Sequence, residues 1–259
     1  TLSLHDALPI LSIYGEGLYN CGKCGKVTPR LRPSEQLEER NWEMLCPSCG
    51  GTCDPLPTPE SKPLYPTSVY AVNKRDHEEL FISIGEAYGI PTTAMRFFNV
   101  YGERQALSNP YTGVGAIFAS RLLNGKPPVI FEDGGQSRDF IHVKDIARGC
   151  FQALQSSRSA GRVYNLGTGR KLSILEVGKA IARELDGPVD DFVVRNEYRA
   201  GDIRHCYADV TRAREELGFK AEKTFEDGVA ELCSWVASQN AVDMVEKATE
   251  ELKSRGLAR

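Results

Sequence analysis

Tyr70 and Lys74 stand four apart in the stretch Ser68-Val-Tyr-Ala-Val-Asn-Lys74. On a helix that spacing stacks them on one face. An ammonium held beside a phenol favours the phenolate and draws the tyrosine toward the range where it moves protons near neutral pH. A tyrosine and a lysine one turn apart are also common on ordinary helix surfaces, so the pair alone establishes no chemistry. A second constellation is Cys21-Gly-Lys-Cys24 with Cys46-Pro-Ser-Cys49. Two C-x2-C knuckles offer four thiolates to the tetrahedral corners that zinc requires, and a structural zinc is expected there. Reduced surface cysteines, or a redox pair of C-x-x-C motifs, are the alternatives.

The elements that hold these groups follow from local signals. Pro66 with Thr67 or Ser68 starts a helix that runs to about Tyr88, and Gly89-Ile-Pro91 stops it. Val72, Leu80, Phe81, Ile84 and Tyr88 recur at helical spacing, which predicts a face built to be buried. Thr92 to Phe98 reads as a strand ending at Asn99. The proline-rich run from Asp54 to Pro66 reads as an extended connector. Between the knuckles, Arg30, Arg32, Glu35, Glu38, Glu39 and Arg40 predict a solvated helix or loop, with Cys53 a spare thiol or substitute ligand.

Further on, an amphipathic helix is expected over 113–123, a strand over 127–131, a turn at Asp133-Gly-Gly135 and a helix over 144–154. A Ser173-x-x-Glu176 capping box opens a helix to Leu185. Phe192 to Val194 is a short strand, and Val229, Leu232, Cys233 and Val236 mark a last core helix. The charged tail over 240–259 reads as a peripheral helix.

Composition narrows the function classes. A chain of 259 residues with net charge −3 can bury a sizeable core but carries no basic footprint for nucleic acid or anionic membrane. No apolar run reaches bilayer length and nothing reads as a signal peptide. Five of the eight cysteines lie between Cys21 and Cys53, which fits a cytoplasmic protein with free thiols and one metal site better than a disulfide scaffold. A zinc-ribbon module that binds other macromolecules is a reading from another class. The ribbon's basic residues are matched by glutamates, which speaks against nucleic acid.

The motifs also occur in a telling order: Ser12-Ile-Tyr14-Gly15, the Tyr70–Lys74 stretch, Arg96-Phe-Phe-Asn99-Val-Tyr-Gly102, Gln136-Ser-Arg138-Asp139-Phe-Ile-His142, Tyr164-Asn-Leu-Gly167-Thr-Gly169 and Arg199-Ala-Gly201-Asp202. This series resembles the extended short-chain dehydrogenase/reductase family, specifically its NAD-dependent nucleotide-sugar epimerases and dehydratases, from about Ser12 to about Trp235. The resemblance implies an α/β fold: the C-terminal part of a Rossmann-type doubly wound parallel sheet (11–20 and 54–112), a smaller α/β substrate lobe (113–239), and a zinc ribbon inserted at 21–53. It also implies 4-epimerisation through a transient 4-keto sugar. Tyr70 would be the base and Lys74 would tune it, with Tyr70, Lys74, Phe97 and Asn99 toward the NAD.

Asn99, Val129, Phe131, Arg138, Arg199 and Asp202 would line the site for a nucleotide-diphosphate sugar. Val129 to Phe131 would lie near the base, Arg138 and Arg199 on phosphate, and Asp202 on a ribose hydroxyl; guanidinium forks suit phosphate oxygens. For Arg138-Asp139 the plain alternative is a structural ion pair, and His142 is read as a packing histidine. The full-length form is expected to be a homodimer through the Tyr70 helix. The four-cysteine insertion resembles that of bacterial epimerases acting on dTDP-L-rhamnose.

Departures from the family pattern matter as much. Thr1 to Ile10 resembles translated sequencing-adapter read-through, which places the natural start near Leu11, and Ile10 stands where the family has a catalytic Ser or Thr. No glycine fingerprint for a pyrophosphate follows a strand. The chain is therefore expected to be an N-terminally truncated fragment, inactive alone and exposing apolar surface. The 4,6-dehydratases of the family carry an acidic pair where Leu11 and Ser12 stand, and a serine hydroxyl cannot do a carboxylate's acid work. Epimerisation therefore leads and dehydration or reduction follows.

Overall fold

The computed structural model describes residues 11–105, 113–199, 201–239 and 254. The expectations for Thr1 to Ile10 and for the charged tail fall outside these residues, apart from Ser254.

Parallel strands form the spine. Thr93–Phe97 runs parallel to Arg162–Leu166 with Met95 opposite Tyr164, and Asn99–Tyr101 runs parallel to Phe140–His142. Parallel pairing demands long crossovers, and the lobe that carries the later motifs supplies them. Met95, Phe97, Ile141, Ile146, Tyr164, Leu166 and Phe219 bury one apolar core around this spine. A second core is helical. Val114–Leu123, Ile174–Glu184 and Phe225–Ala237 close on Phe118, Ile130, Phe140, Ile181, Phe225 and Leu232. The Ser173–Glu176 capping box forms, with both partners satisfied.

The helix bearing Tyr70 spans Val69–Tyr88. Ser68 caps it by accepting from the Ala71 amide, and Gly89, in the left-handed region at φ 66°, ends it. Its buried positions are Ala71, Glu78 and Gly85, not the apolar stripe that the spacing marks. Val72, Leu80, Ile84 and Tyr88 are exposed, from 42% to 77%, and Phe81 is half-buried. The reason is that the helix meets the sheet through small residues and one charge. At Gly85 any Cβ would collide with the Thr92 side chain. Glu78 reaches down to Arg96 of the Thr93–Phe97 strand, which donates from Nη2 to Glu78 Oε1 (2.6 Å) and from Nε to Oε2 (2.8 Å). Arg96 Nη1 also donates to Tyr14 Oη (2.7 Å) and to the Glu60 carbonyl (3.0 Å), while Tyr14 Oη donates to Asn165 Oδ1 (2.7 Å).

The Val143–Gln155 helix repeats this arrangement. It buries Asp145, Ile146, Gly149 and Ala153, while Phe151 and Leu154 stay exposed. Leu11–Tyr14 is a 3-10 turn where the family pattern has a strand.

The cysteine segment is an antiparallel sheet in which Leu18–Cys21 pairs with Gly25–Val27 on one side and Cys53–Leu56 on the other. Cys53, Asp54, Pro55 and Leu56 thus form an edge strand, the one sheet position that tolerates proline. Between the knuckles, Ser34–Glu38 is a short helix with Glu35, Glu38 and Glu39 in solvent. Arg32 departs from the solvated expectation: it is 5% exposed.

Glu78→Gln should leave Arg96 as a buried cation without its counter-charge and cost about 3 kcal/mol or more. Urea denaturation checks this against Arg75→Ala. That change removes a solvent-exposed pair with Glu79 and should cost no more than about 1 kcal/mol.

Candidate active site

Tyr70 lies in the first turn of its helix, 42% exposed, with Lys74 Nζ 5.7 Å from the ring centroid. The phenol is exposed and the ammonium half-buried, and Glu78, one turn beyond Lys74 on the same side of the helix, is the buried residue that ties it to the sheet. Asn99 begins the strand beyond Phe98. Its amide donates to the Asp139 carbonyl (2.9 Å), and its side-chain Oδ1 is buried without a hydrogen-bond partner. An orphaned buried oxygen at this position is what a donor from a bound molecule would satisfy. Phe97 sits differently: it is a packing residue of the sheet core, 8% exposed, among Met95, Ile141 and Leu166.

Asp139 is wholly buried and does not pair with Arg138. It accepts from the Thr168 amide (2.8 Å) and hydroxyl (2.6 Å), the Gly169 amide (2.9 Å) and the Ala208 amide (3.2 Å). Burial still holds its carboxyl above the usual range, against those donors. The Gly167-Thr-Gly169 turn is thus folded around a carboxylate, so its amides are already engaged. Arg138 is spent on backbone, donating to the carbonyls of Ser137, Ile203 and Arg204 at 2.6–2.9 Å.

The remaining substrate candidates gather on one lobe surface. Arg199 lays its guanidinium over the Phe131 ring, 4.0 Å from the centroid, and its Nε is buried without a partner. Asp202 turns back on Arg199 through its amide (3.2 Å). Its carboxyl is raised by desolvation and lowered in part by Arg199 and Arg138. Val129 is buried in the short parallel pair with Val193–Val194, away from solvent. The structure therefore brings Phe131, Arg199 and Asp202 together, with Arg138 behind them.

Beneath that surface is a buried charge cluster that no sequence motif announced. Arg32 donates to both carboxylate oxygens of Glu132 (2.8 and 3.0 Å), to the Trp42 carbonyl (2.8 Å) and to the Asp202 carbonyl (3.3 Å). Arg204 donates to Glu132 (2.9 Å), Asp133 (2.7 Å) and Glu43 (2.5 Å). Glu43 also meets His205, and these partners hold its carboxyl down at about 2. Glu16, from the Tyr-Gly-Glu-Gly turn, accepts from the Arg204 amide (2.7 Å) and the Tyr19 hydroxyl (2.6 Å). The ribbon, the Tyr14 turn and the Phe131–Asp202 surface are one charged assembly.

The sulfurs of Cys21, Cys24, Cys46 and Cys49 all lie within 4.8 Å of one another, and the Cys21 and Cys49 sulfurs are 3.5 Å apart. Four sulfurs around a zinc at the usual bond length would be spaced at about 3.8 Å. The backbone amides of Lys23 and Cys24 draw the Cys21 thiol down to about 6, and those of Ser48 and Cys49 lower Cys46. Hydrogen bonding with the Cys49 and Cys46 sulfurs pushes Cys24 up to about 12. A donor set of amide-supported, mutually crowded sulfurs fits a soft cation. Cys53 is buried beside Cys21 and Cys46 but outside the four-sulfur group; it donates to the Gly51 carbonyl (3.7 Å), and burial raises it to about 12.

A family model described as GDP-mannose 4,6 dehydratase matches residues 49–232. The chain belongs to the nucleotide-sugar epimerase and dehydratase family of extended short-chain dehydrogenases/reductases. It is 33% identical over 229 residues to a dTDP-L-rhamnose 4-epimerase of Burkholderia thailandensis, covering 88% of this chain and 61% of that protein. The solved UDP-glucose 4-epimerase of Thermotoga maritima, in complex with UDP-glucose, is 32% identical at TM-score 0.65, covering 71% of this chain and 58% of that one. The Thermus thermophilus UDP-glucose 4-epimerase, in complex with NAD, is 26% identical at TM-score 0.62, covering 78% and 61%. The chain thus spans about 60% of the length of these relatives.

Within this family frame, His142 is a packing histidine. It is fully buried, accepts from the Lys144 amide through Nδ1 and meets the Tyr101 ring edge-on. Sequence reasoning missed Glu16, Glu43, Glu132, Arg204 and His205, and took Arg32 for a surface residue. Their partners lie up to 189 positions away, and no local periodicity encodes such a pairing. No helix among the described residues is long and apolar enough to cross a membrane.

Proposed function

We propose that this chain carries the catalytic and sugar-nucleotide part of an NAD-dependent nucleotide-sugar 4-epimerase. The observation behind this reading is the Tyr70–Lys74 pair at the start of a helix that Glu78, one turn beyond Lys74, anchors to the sheet, followed in the chain's motif order by the unsatisfied Asn99 side chain. Tyr70 takes the proton from a sugar hydroxyl, and Lys74 favours its phenolate. Lys74 and Asn99 are the groups that would hold the nicotinamide end of the cofactor. When bound, NAD supplies hydride acceptance and return at the same sugar carbon. Arg199 and Asp202 hold the nucleotide-diphosphate sugar, with Phe131 as an apolar floor. Of the two family reactions, epimerisation is favoured over 4,6-dehydration because Leu11 and Ser12 offer no acid. The exposed apolar stripe of the Tyr70 helix is the face through which two copies would pair.

In a form of the protein extended to the length of its relatives, Tyr70→Phe should cut turnover about a hundredfold or more. Nucleotide-sugar binding should survive, since the ring is kept and only the proton acceptor is lost. Steady-state kinetics with calorimetric binding make the check, and near-normal turnover would overturn the assignment.

The sequence of these 259 residues holds no G-x-G-x-x-G or G-x-x-G-x-x-G fingerprint to receive a pyrophosphate. By themselves they should not retain NAD and should not epimerise. Calorimetric titration with NAD is the measurement, and saturable heat at micromolar affinity contradicts the expectation.

The cysteine cluster is proposed as a structural zinc site of Cys21, Cys24, Cys46 and Cys49, closed to substrate. Metal analysis of the purified chain should give one zinc per molecule, with the four thiols slow to react until a chelator is added. Four freely reactive thiols and no zinc would sink the assignment.

A further inference from the structure

The cysteine insertion does more than decorate the fold. On leaving the Gly25–Val27 strand, the chain passes Arg30 and Leu31 along a cavity of about 240 Å³. The cavity's other walls are Glu16, from the Tyr14-Gly15-Glu16 turn, and Tyr65, Pro66 and Thr67, which run directly into the Ser68 cap of the Tyr70 helix. The two walls are held close. Gly15 has φ 64°, and a Cβ there would strike the Tyr65 carbonyl. The Thr67 carbonyl is also the nearest atom to a Cβ built on Gly201, at 3.9 Å, which brings the Gly201-Asp202 turn alongside. The cavity therefore lies between the start of the helix that carries Tyr70 and the loop proposed to hold the nucleotide-diphosphate end.

We infer that this cavity receives the sugar ring and that Arg30, supplied by the insertion, is a specificity-determining residue that binds sugar hydroxyl oxygens. Three observations carry the inference. Arg30 is exposed and stacked flat on Tyr65, its guanidinium carbon 3.8 Å from the ring centroid. No carboxylate among the described residues forms a salt bridge with it, so its donors are not spent on a counter-charge. Two residues on, the buried Arg32 clamps the backbone by binding Glu132 bidentately and the Asp202 carbonyl. That clamp pre-positions Arg30 relative to Asp202, which lowers the cost of ordering it on binding. The volume is below the ~300–1,000 Å³ of a complete small-molecule site, so it suits one part of a ligand rather than a whole nucleotide sugar. The inference rests on the nucleotide-sugar reading above and adds to it the part played by the insertion.

The test is calorimetric titration of the protein extended to the length of its relatives with UDP, dTDP, UDP-glucose and dTDP-glucose, comparing the parent with Arg30→Met and Arg30→Lys. Methionine keeps apolar contact with Tyr65 and removes the donors; lysine keeps the charge and loses the fork. Arg30 is exposed, so both variants should fold, which circular dichroism verifies. Arg30→Met should weaken the glucose-bearing ligands about tenfold and leave the bare diphosphates within twofold, with Arg30→Lys between. Equal losses on diphosphate and sugar nucleotide would put Arg30 on phosphate and overturn the inference. Unchanged affinity for all four ligands would overturn it too, as would a parent that binds the diphosphates but rejects both sugar nucleotides. A parent that binds none of the four would overturn the nucleotide-sugar reading itself, and this inference with it.

Discussion

Arg96 is the interaction on which the rest of the structure depends. It rises from the parallel strand Thr93–Phe97 and satisfies four acceptor oxygens at once: two on Glu78, the Tyr14 hydroxyl and the Glu60 carbonyl. A buried ion pair gains little on its own, because desolvating both charges offsets their attraction. What it supplies is uniqueness. One guanidinium in fixed fork geometry determines where the Tyr70 helix, the Tyr14 turn and the proline-rich connector lie relative to the sheet. With Gly85 pressed against Thr92, the helix has one way to sit, and that leaves Tyr70 exposed and Lys74 half-buried at the edge of the contact.

A second polar cluster does for the Phe131–Asp202 surface what Arg96 does for the Tyr70 helix. Glu132 carries φ 53°, an unusual backbone for a residue with a side chain. It holds that position between two arginines, Arg32 from the cysteine insertion and Arg204 from the strand beside Arg138. Its neighbour Phe131 is then presented to Arg199. Because every member of the cluster is paired, the charges are tolerated, and the insertion becomes a structural partner of the lobe rather than an appendage. A cation at the four cysteines would stiffen one end of a lever whose other end is Arg32.

The two clusters meet at the Tyr14-Gly15-Glu16-Gly17 turn. Tyr14 belongs to the Arg96 assembly, and Glu16 receives the Arg204 amide. Lys62 is fastened to the Tyr14 carbonyl (2.6 Å), and burial lowers it to about 8. The Tyr70 helix, the cysteine insertion and the Gly201-Asp202 loop thus converge on four consecutive residues. The cavity beside Arg30 lies at that convergence.

The sequence by itself determined the elements and their chemical type. The Ser68 cap and Gly89 stop, the Ser173–Glu176 capping box, the knuckle spacing and the order of the family motifs are all local or nearly local signals. They were legible because capping, turn formation and metal ligation depend on residues a few positions apart. Tyr70 beside Lys74 followed from helical geometry alone.

Which faces those elements bury was decided only by the tertiary structure. The apolar stripe Val72, Leu80, Ile84 and Tyr88 has the periodicity of a core face, yet Ala71, Glu78 and Gly85 make the contact with the sheet. Periodicity reports apolar residues and is blind to a buried carboxylate whose partner sits on another strand. Arg32 reads as a surface charge for the same reason: its burial is set by Glu132, a hundred residues away. The cost of burying a charge depends on the distance to its counter-charge, and that distance exists only once the chain has folded.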